Sequence, residues 1–113
     1  MNEDRSDSTD RARQLNDAFR RTFIGGVVVV TAAVEALPHE CRSSLLAKIR
    51  AFDAFTEDND PHGERDFGVV EDGDVRCFWK IDYYDREMEF MSPDASDSAL
   101  TTRVLTIMLA DEY

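Results

Sequence analysis

Long apolar runs and cysteines are scarce in this chain of 113 residues. The most apolar stretch, residues 23–30, is far too short to span a bilayer. The two cysteines, Cys41 and Cys77, form no metal-binding or redox motif. We expect both to be reduced core residues of a cytoplasmic protein.

Groups that catalysis would need are also few. His39 and His62 are the only histidines, and no nucleophile elbow surrounds Ser43-Ser44 or Thr101-Thr102. A phosphate-binding glycine loop is lacking too, since no helix and no lysine follow Gly25-Gly26. The sequence therefore predicts a protein that is not an enzyme and that uses no cofactor.

Basic residues are scarce in one half of the chain. Residues 1–53 carry eight acidic and eight basic residues, whereas residues 54–113 carry sixteen acidic and five basic ones. The entire net charge of −11 thus belongs to the second half. This argues against direct binding to nucleic acid or to an anionic membrane, because both need a basic surface. It favours a partner with a basic surface.

The clearest structural signal is the alternating stretch around Trp79, the only tryptophan. It follows the turn Glu71–Asp74, and side chains from Val75 to Tyr84 alternate between two faces. This period of two predicts a strand, and the large apolar area of Trp79 predicts that it lies in the core.

The first half of the chain predicts helix, strand and helix. Residues 1–8 are polar, and we expect them to be disordered. From about Thr9 the pattern predicts a helix that ends at Gly25-Gly26. Val27–Thr31 is typical of a strand that is buried on both faces. Pro38 is well placed to begin a helix. The apolar face of that helix comprises Cys41, Leu45, Leu46, Ile49 and Phe52.

The second half predicts a three-stranded meander and a final helix. After a loop over Thr56–Arg65, a strand at Asp66–Val70 forms a hairpin with the Trp79 strand. Alternation over residues 87–90 predicts a fourth strand, and residues 97–109 predict a helix capped by Asp97 or Ser98. We expect one α+β domain over residues 1–113, in the order α-β-α-β-β-β-α. Helices should cover one face of a four-stranded, mostly antiparallel sheet.

Alternate residues of the Asp58–Asp66 loop carry side chains that can bind metal. Such oxygen-rich spacing occurs in calcium loops, but Val69 stands where a bidentate glutamate is needed, and Pro61 interrupts the run. We therefore expect a solvated acidic turn. The alternative is a small hydrolase or metal-binding enzyme that uses this loop with His62.

The second face of the Trp79 strand has two interpretations. Phe78, Lys80, Asp82 and Tyr84 combine aromatic and charged groups, which can contact a partner. Nearby acidic residues would repel phosphates, so a basic protein surface is the better match. Otherwise this face packs under a helix in a sheet that is buried on both sides.

Several motifs carry a resemblance to a known family. They are Leu15–Arg20, Ala51–Thr56, Asp58–Pro61, Asp66–Gly68, Phe78–Asp85 and Thr101–Ala110, or LNDAFR, AFDAFT, DNDP, DFG, FWKIDYYD and TTRVLTIMLA. The chain resembles a family of small bacterial proteins that are known only as a domain of unknown function and are common on plasmids and other mobile elements.

The resemblance implies no activity. Family members often have tyrosine where this chain has His62 and histidine where it has Arg65, which implies that His62 is not essential. The mobile-element setting implies a protein that acts against host nucleic-acid machinery or manages it.

Together these observations predict a small, acidic, non-enzymatic interaction protein. The most specific version of this prediction is a mobile-element inhibitor that occupies a nucleic-acid-binding surface by imitating phosphate charge, as some anti-CRISPR proteins do. An unspecialised regulatory partner protein is a further alternative. The predicted partner-binding residues are Asp58, Asp60, Glu64, Asp72, Asp74, Asp82, Asp85, Glu87 and Glu89.

Overall fold

Helices pack on one face of a four-stranded sheet in the computed structural model, which describes the backbone of residues 3–113 and the side chains of residues 7–113. The helices are α1 (Glu3–Thr22), α2 (Ala32–Glu35), α3 (His39–Arg50) and a 3₁₀ helix (Ala110–Glu112). The strands are β1 (Gly26–Val30), β2 (Phe67–Asp72), β3 (Val75–Tyr84) and β4 (Thr102–Leu109).

The sheet is mixed, with the order β1-β4-β3-β2. β2, β3 and β4 form an antiparallel meander, and β1 pairs with β4 in parallel. The α+β class and the four-stranded, mostly antiparallel sheet that the sequence predicts are confirmed. The first helix begins earlier than expected, at Glu3 rather than near Thr9, because no proline or glycine interrupts residues 3–22.

The predicted final helix is wrong. Residues 102–109 form β4, which lies between β1 and β3 and is buried on both faces. A strand with apolar residues on both faces has nearly the same pattern as a helix that is apolar all round. Pairing with two neighbouring strands decides the outcome here, and the β-branched Val104 and Ile107 suit it.

The predicted strand over residues 87–90 is also wrong. These residues form a turn in which Met88 has a positive φ of 58°, and one isolated bridge joins Tyr84 to Met91. The third strand of the meander is β4 instead. Residues 85–101 connect β3 to it.

Trp79 lies at the centre of the core, as the sequence predicts, and is fully buried. Leu45 and Ile49 of α3 pack in the same cluster, which confirms the predicted inner face of that helix. Phe52 and Phe55 meet the indole ring edge to face, with centroids 5.6 and 6.1 Å from it. Edge-to-face contacts of this kind add to the stability that burial alone gives.

The other face of the sheet is more exposed at β1, although Val104 and Met108 of the central β4 are buried on it. Core positions of all four strands point toward the helices, whereas Val27 and Val29 of β1 point away and remain 41% and 42% exposed. The prediction that β1 is buried on both faces is therefore wrong, because this strand lies at the edge of the sheet. On the face away from the helices, Tyr113 packs against Phe67 and Phe78, with centroids 6.2 and 5.2 Å away.

Candidate functional site

The predicted partner-binding acids fall into two groups at opposite ends of the sheet. Asp72 and Asp74 lie at the β2–β3 hairpin, where β3 begins. The other seven lie where β3 ends, because the loop before β2 and the turn after β3 meet at that end. The ten residues of β3 separate Asp74 from Asp85, which corresponds to about 35 Å along a strand.

We call the larger group, together with the neighbouring Asp66, the acidic end. It comprises Asp58, Asp60, Glu64, Asp66, Asp82, Asp85, Glu87 and Glu89.

Internal hydrogen bonds fix the loop that carries half of the acidic end. Asp60 Oδ1 accepts from the Arg65 backbone N–H at 2.9 Å, and Asn59 Oδ1 accepts from the Thr56 N–H at 2.7 Å. Gly63 adopts a φ of +71°, which glycine tolerates without a steric penalty. The loop therefore presents its carboxylates from a defined backbone.

A buried asparagine ties this loop to the sheet. Asn16 Nδ2 donates to the Glu64 carbonyl at 3.0 Å and to the Tyr83 hydroxyl at 2.8 Å. Its Oδ1 accepts from Arg103 Nε at 2.7 Å. Because Asn16 is fully buried, these bonds satisfy groups that would otherwise lose their contact with water.

A second network lies beside the first. Asp17 binds the buried Arg20 at 3.0 Å and Arg65 of the loop at 3.0 Å. The Arg20 guanidinium stacks over Phe55 and Trp79, 5.3 and 5.1 Å from the ring centroids. Neither network is predicted from the sequence. The available signal was that Asn16, Asp17 and Arg20 belong to the motif Leu15–Arg20.

Burial changes the titration of two carboxyl groups at the acidic end. It raises the pKa of Glu64 above its ordinary value, and the charge of Asp66 raises it further. Burial likewise raises the pKa of Asp66, with a smaller contribution from Asp60. Glu64, Asp66 and Asp60 therefore lie close enough for their charges to interact.

The turn after β3 adds exposed acidic and apolar groups to the same end. Asp85 Oδ1 accepts from the Glu89 backbone N–H at 3.0 Å, so this carboxylate also shapes the chain. Glu87 and Glu89 are exposed. Phe90 and Met91 follow at 71% and 69% exposure, which gives the turn an apolar surface beside its charge.

Two of the three remaining predicted residues have local partners. Asp82 lies on the face away from the helices and binds Lys80 at 3.0 Å. At the hairpin, Asp72 accepts from Ser44 Oγ at 2.9 Å, and this hydrogen bond lowers the pKa of its carboxyl group. Asp74 is exposed.

The Asp58–Asp66 loop does not assemble a metal site. Among the side chains of residues 7–113, no group of three or more histidines, cysteines or carboxylates could hold a metal ion. His39 and His62 are both exposed. The described part of the chain also has no helix long and apolar enough to cross a membrane.

Comparison with known families decides where the chain belongs. The family described as "Protein of unknown function (DUF3768)" matches residues 30–112. The chain belongs to this family. The match includes all strands except most of β1, whereas the motif Leu15–Arg20 lies outside it. Searches of curated proteins and of solved structures found no significant match.

Proposed function

We propose that this protein is a non-enzymatic interaction protein whose acidic end binds a basic surface of a partner protein. The observation that carries the proposal is the collection of seven predicted acids at one end of the sheet. Six of them lie on a loop and a turn that internal hydrogen bonds hold, and Asp82 lies near the end of β3. Carboxylates on an ordered backbone lose little freedom when they bind. Several acting together also accelerate association with a basic partner.

The proposed partner is a protein surface that otherwise binds nucleic acid. Such a surface displays lysine and arginine groups arranged for phosphates, which carboxylates can imitate. The exposed Phe90 and Met91 beside the charges offer apolar contacts that favour a protein over a simple cation. The mobile-element setting that the resemblance implies makes an inhibitor of host machinery, in the manner of some anti-CRISPR proteins, the specific form of this proposal.

Capture of nucleic-acid-binding proteins tests the proposal. Immobilised wild-type protein is exposed to the fraction of a bacterial lysate that a heparin column retains. The test variant is Asp58→Lys/Glu87→Lys/Glu89→Lys, whose three side chains are exposed at the acidic end. We expect the wild type to retain one or a few basic proteins and the variant to lose them.

The matched control reverses three exposed charges elsewhere. Glu40→Lys/Asp74→Lys/Asp111→Lys makes the same change in net charge away from the acidic end. It should capture the same proteins as the wild type. Equal losses in both variants would mean that net charge alone controls binding, which contradicts a defined acidic site.

The enzyme alternative rests on the raised pKa of Glu64 and of Asp66 near His62. We propose that His62 is dispensable, because it is exposed and has no nucleophile beside it in the sequence. His62→Ala should therefore capture partners as the wild type does. A loss of function as complete as that caused by deleting the gene would favour the enzyme instead.

A further inference from the structure

The outer edge of β1 is an unprotected strand edge. β1 pairs with β4 on one side and is the last strand of the sheet on the other. Its sequence, Gly26–Val30, contains four valines and no charge or proline. Edge strands in soluble proteins usually carry a charged residue, a proline or a bulge that prevents pairing with another chain. β1 has none of these.

The direction of the backbone groups along β1 follows from one hydrogen bond. The Thr31 N–H donates to the Ile107 carbonyl of β4 at 3.1 Å. Backbone groups of successive strand residues alternate in direction. Those of Val27 and Val29 therefore face β4, and those of Gly26, Val28 and Val30 face outward.

We propose that β1 pairs with β1 of a second copy of this chain, antiparallel and centred on Val28. In that register Val28 faces its own counterpart, and Gly26 faces Val30 of the other copy. All outward backbone groups are then paired, through about six hydrogen bonds. The two four-stranded sheets become one continuous sheet around a twofold axis.

The same register covers the exposed valines on the face away from the helices. Val27 of one copy lies opposite Val29 of the other, and the reverse pair forms across the axis. Cross-strand pairs of β-branched residues stabilise a sheet when they lie directly opposite each other. Both side chains are more than two-fifths exposed in the single chain, so both gain cover from the second copy.

Charge favours a second copy as the occupant of this edge. A chain with a net charge of −11 repels itself, so self-association needs a surface without acids. Residues 22–34 form the longest stretch without any charged residue, and β1 lies inside it. The acidic end lies on the far side of the sheet, in and around β2 and β3.

The flanks of β1 carry opposite charges that favour the antiparallel orientation. Arg21 precedes the strand and is exposed. Arg50 Nε donates a hydrogen bond to the Arg21 carbonyl at 3.0 Å. Beyond the other end, Glu112 accepts from the Thr31 hydroxyl at 2.9 Å, and Glu35 is exposed. Antiparallel pairing brings the basic flank of one copy toward the acidic flank of the other.

Sedimentation equilibrium on the full chain tests the proposal. At 0.15 M salt and over about 10 μM to 1 mM protein, we expect the mass to rise from 12.9 kDa toward twice that value. Val27→Lys/Val29→Lys places lysines opposite each other and should remain monomeric. Val27→Lys/Val29→Glu places opposite charges together across the same register and should still dimerise.

Three results would overturn the proposal. The first is a wild type that stays monomeric over the whole concentration range. The second is that both double variants dimerise, and the third is that both double variants stay monomeric. A parallel pairing would set like charges together in both variants, so the third result excludes the antiparallel register. Circular dichroism checks that each variant is folded.

Amide hydrogen exchange gives an independent readout. The amides of Gly26, Val28 and Val30 should be protected in the wild type at high concentration and exchange quickly in the monomeric variant. Because the measurement uses this chain alone, its failure is separate from a failure of the acidic end to bind a partner.

Discussion

At the scale of single residues, Trp79 and Arg20 form the centre of the molecule. Both side chains are fully buried, and the guanidinium lies 5.1 Å above the indole ring. A buried arginine is costly unless a carboxylate and hydrogen-bond acceptors surround it. Asp17 and the Phe52 carbonyl supply these contacts at 3.0 Å each.

Truncation of the tryptophan should destabilise the protein severely. Trp79→Ala removes the ring that Phe52 and Phe55 pack against, and we expect the free energy of unfolding to fall by about 3–5 kcal/mol. Urea unfolding followed by circular dichroism measures the change. Native tryptophan fluorescence that is red-shifted and fully quenchable would contradict the buried position.

Removal of the charge that balances Arg20 should also be costly. Asp17→Asn leaves a fully buried guanidinium without its carboxylate, and we expect a loss of about 3–5 kcal/mol in urea unfolding. Asp10→Asn is the matched control, because Asp10 forms a more exposed ion pair with Arg13 in the same helix. Its effect should be within about 1 kcal/mol. Equal effects would mean that burial does not control the strength of these pairs.

The sequence predicts burial for some residues and not for others. The core position of Trp79 follows from its size and from the alternation around it. The burial of Asn16 and Arg103 does not, since polar residues on a helix and a strand are usually exposed. Their hydrogen bonds join segments 87 residues apart, and only the folded chain brings those segments together.

At the scale of elements, β4 shows why an apolar pattern can mislead. Its residues are apolar on both sides, which suits a buried helix as well as a central strand. The sequence predicts that an antiparallel meander begins at β2, because the hairpin turn at Asp72-Gly73 is a strong signal. The sequence does not predict that β4 is the third strand of this meander, because β4 also depends on pairing with β1 from the other half of the chain.

The loop before β2 should make stability depend on pH. Burial raises the pKa of Glu64 in the folded protein, so the folded state binds a proton more readily than the unfolded state. This carboxyl group therefore supports the fold below its ordinary pKa. That support is lost as the pH rises through the folded pKa. Glu64→Gln should raise the free energy of unfolding at pH 7 relative to the wild type.

The difference between Glu64→Gln and the wild type should shrink as the pH falls toward 4. Thermal or urea unfolding at both pH values measures it. Glu87→Gln makes the same chemical change on the exposed turn and should alter stability by less than about 0.5 kcal/mol. If Glu64→Gln were less stable than the wild type at pH 7, and this deficit were smaller at pH 4, the result would contradict the raised pKa of Glu64.

At the scale of the whole molecule, three surfaces differ in chemistry. The helices cover one face, the other face is partly exposed and partly apolar, and acidic groups gather where β3 ends. The charge excess of residues 54–113 was visible in the sequence. The separation of its members into an acidic end and a hairpin pair was not, because it depends on the length and direction of β3.

The salt dependence of partner binding tests the central claim most directly. The measurement is the Kd of a captured partner for the wild type and for Asp58→Lys/Glu87→Lys/Glu89→Lys, from about 0.05 to 0.5 M salt, over which the Debye length shrinks to roughly a third. We predict that wild-type binding weakens steadily with salt, that duplex DNA competes for it, and that the variant binds at least about tenfold more weakly at low salt. Binding that ignores salt, or a folded variant that binds as tightly as the wild type, would contradict the account.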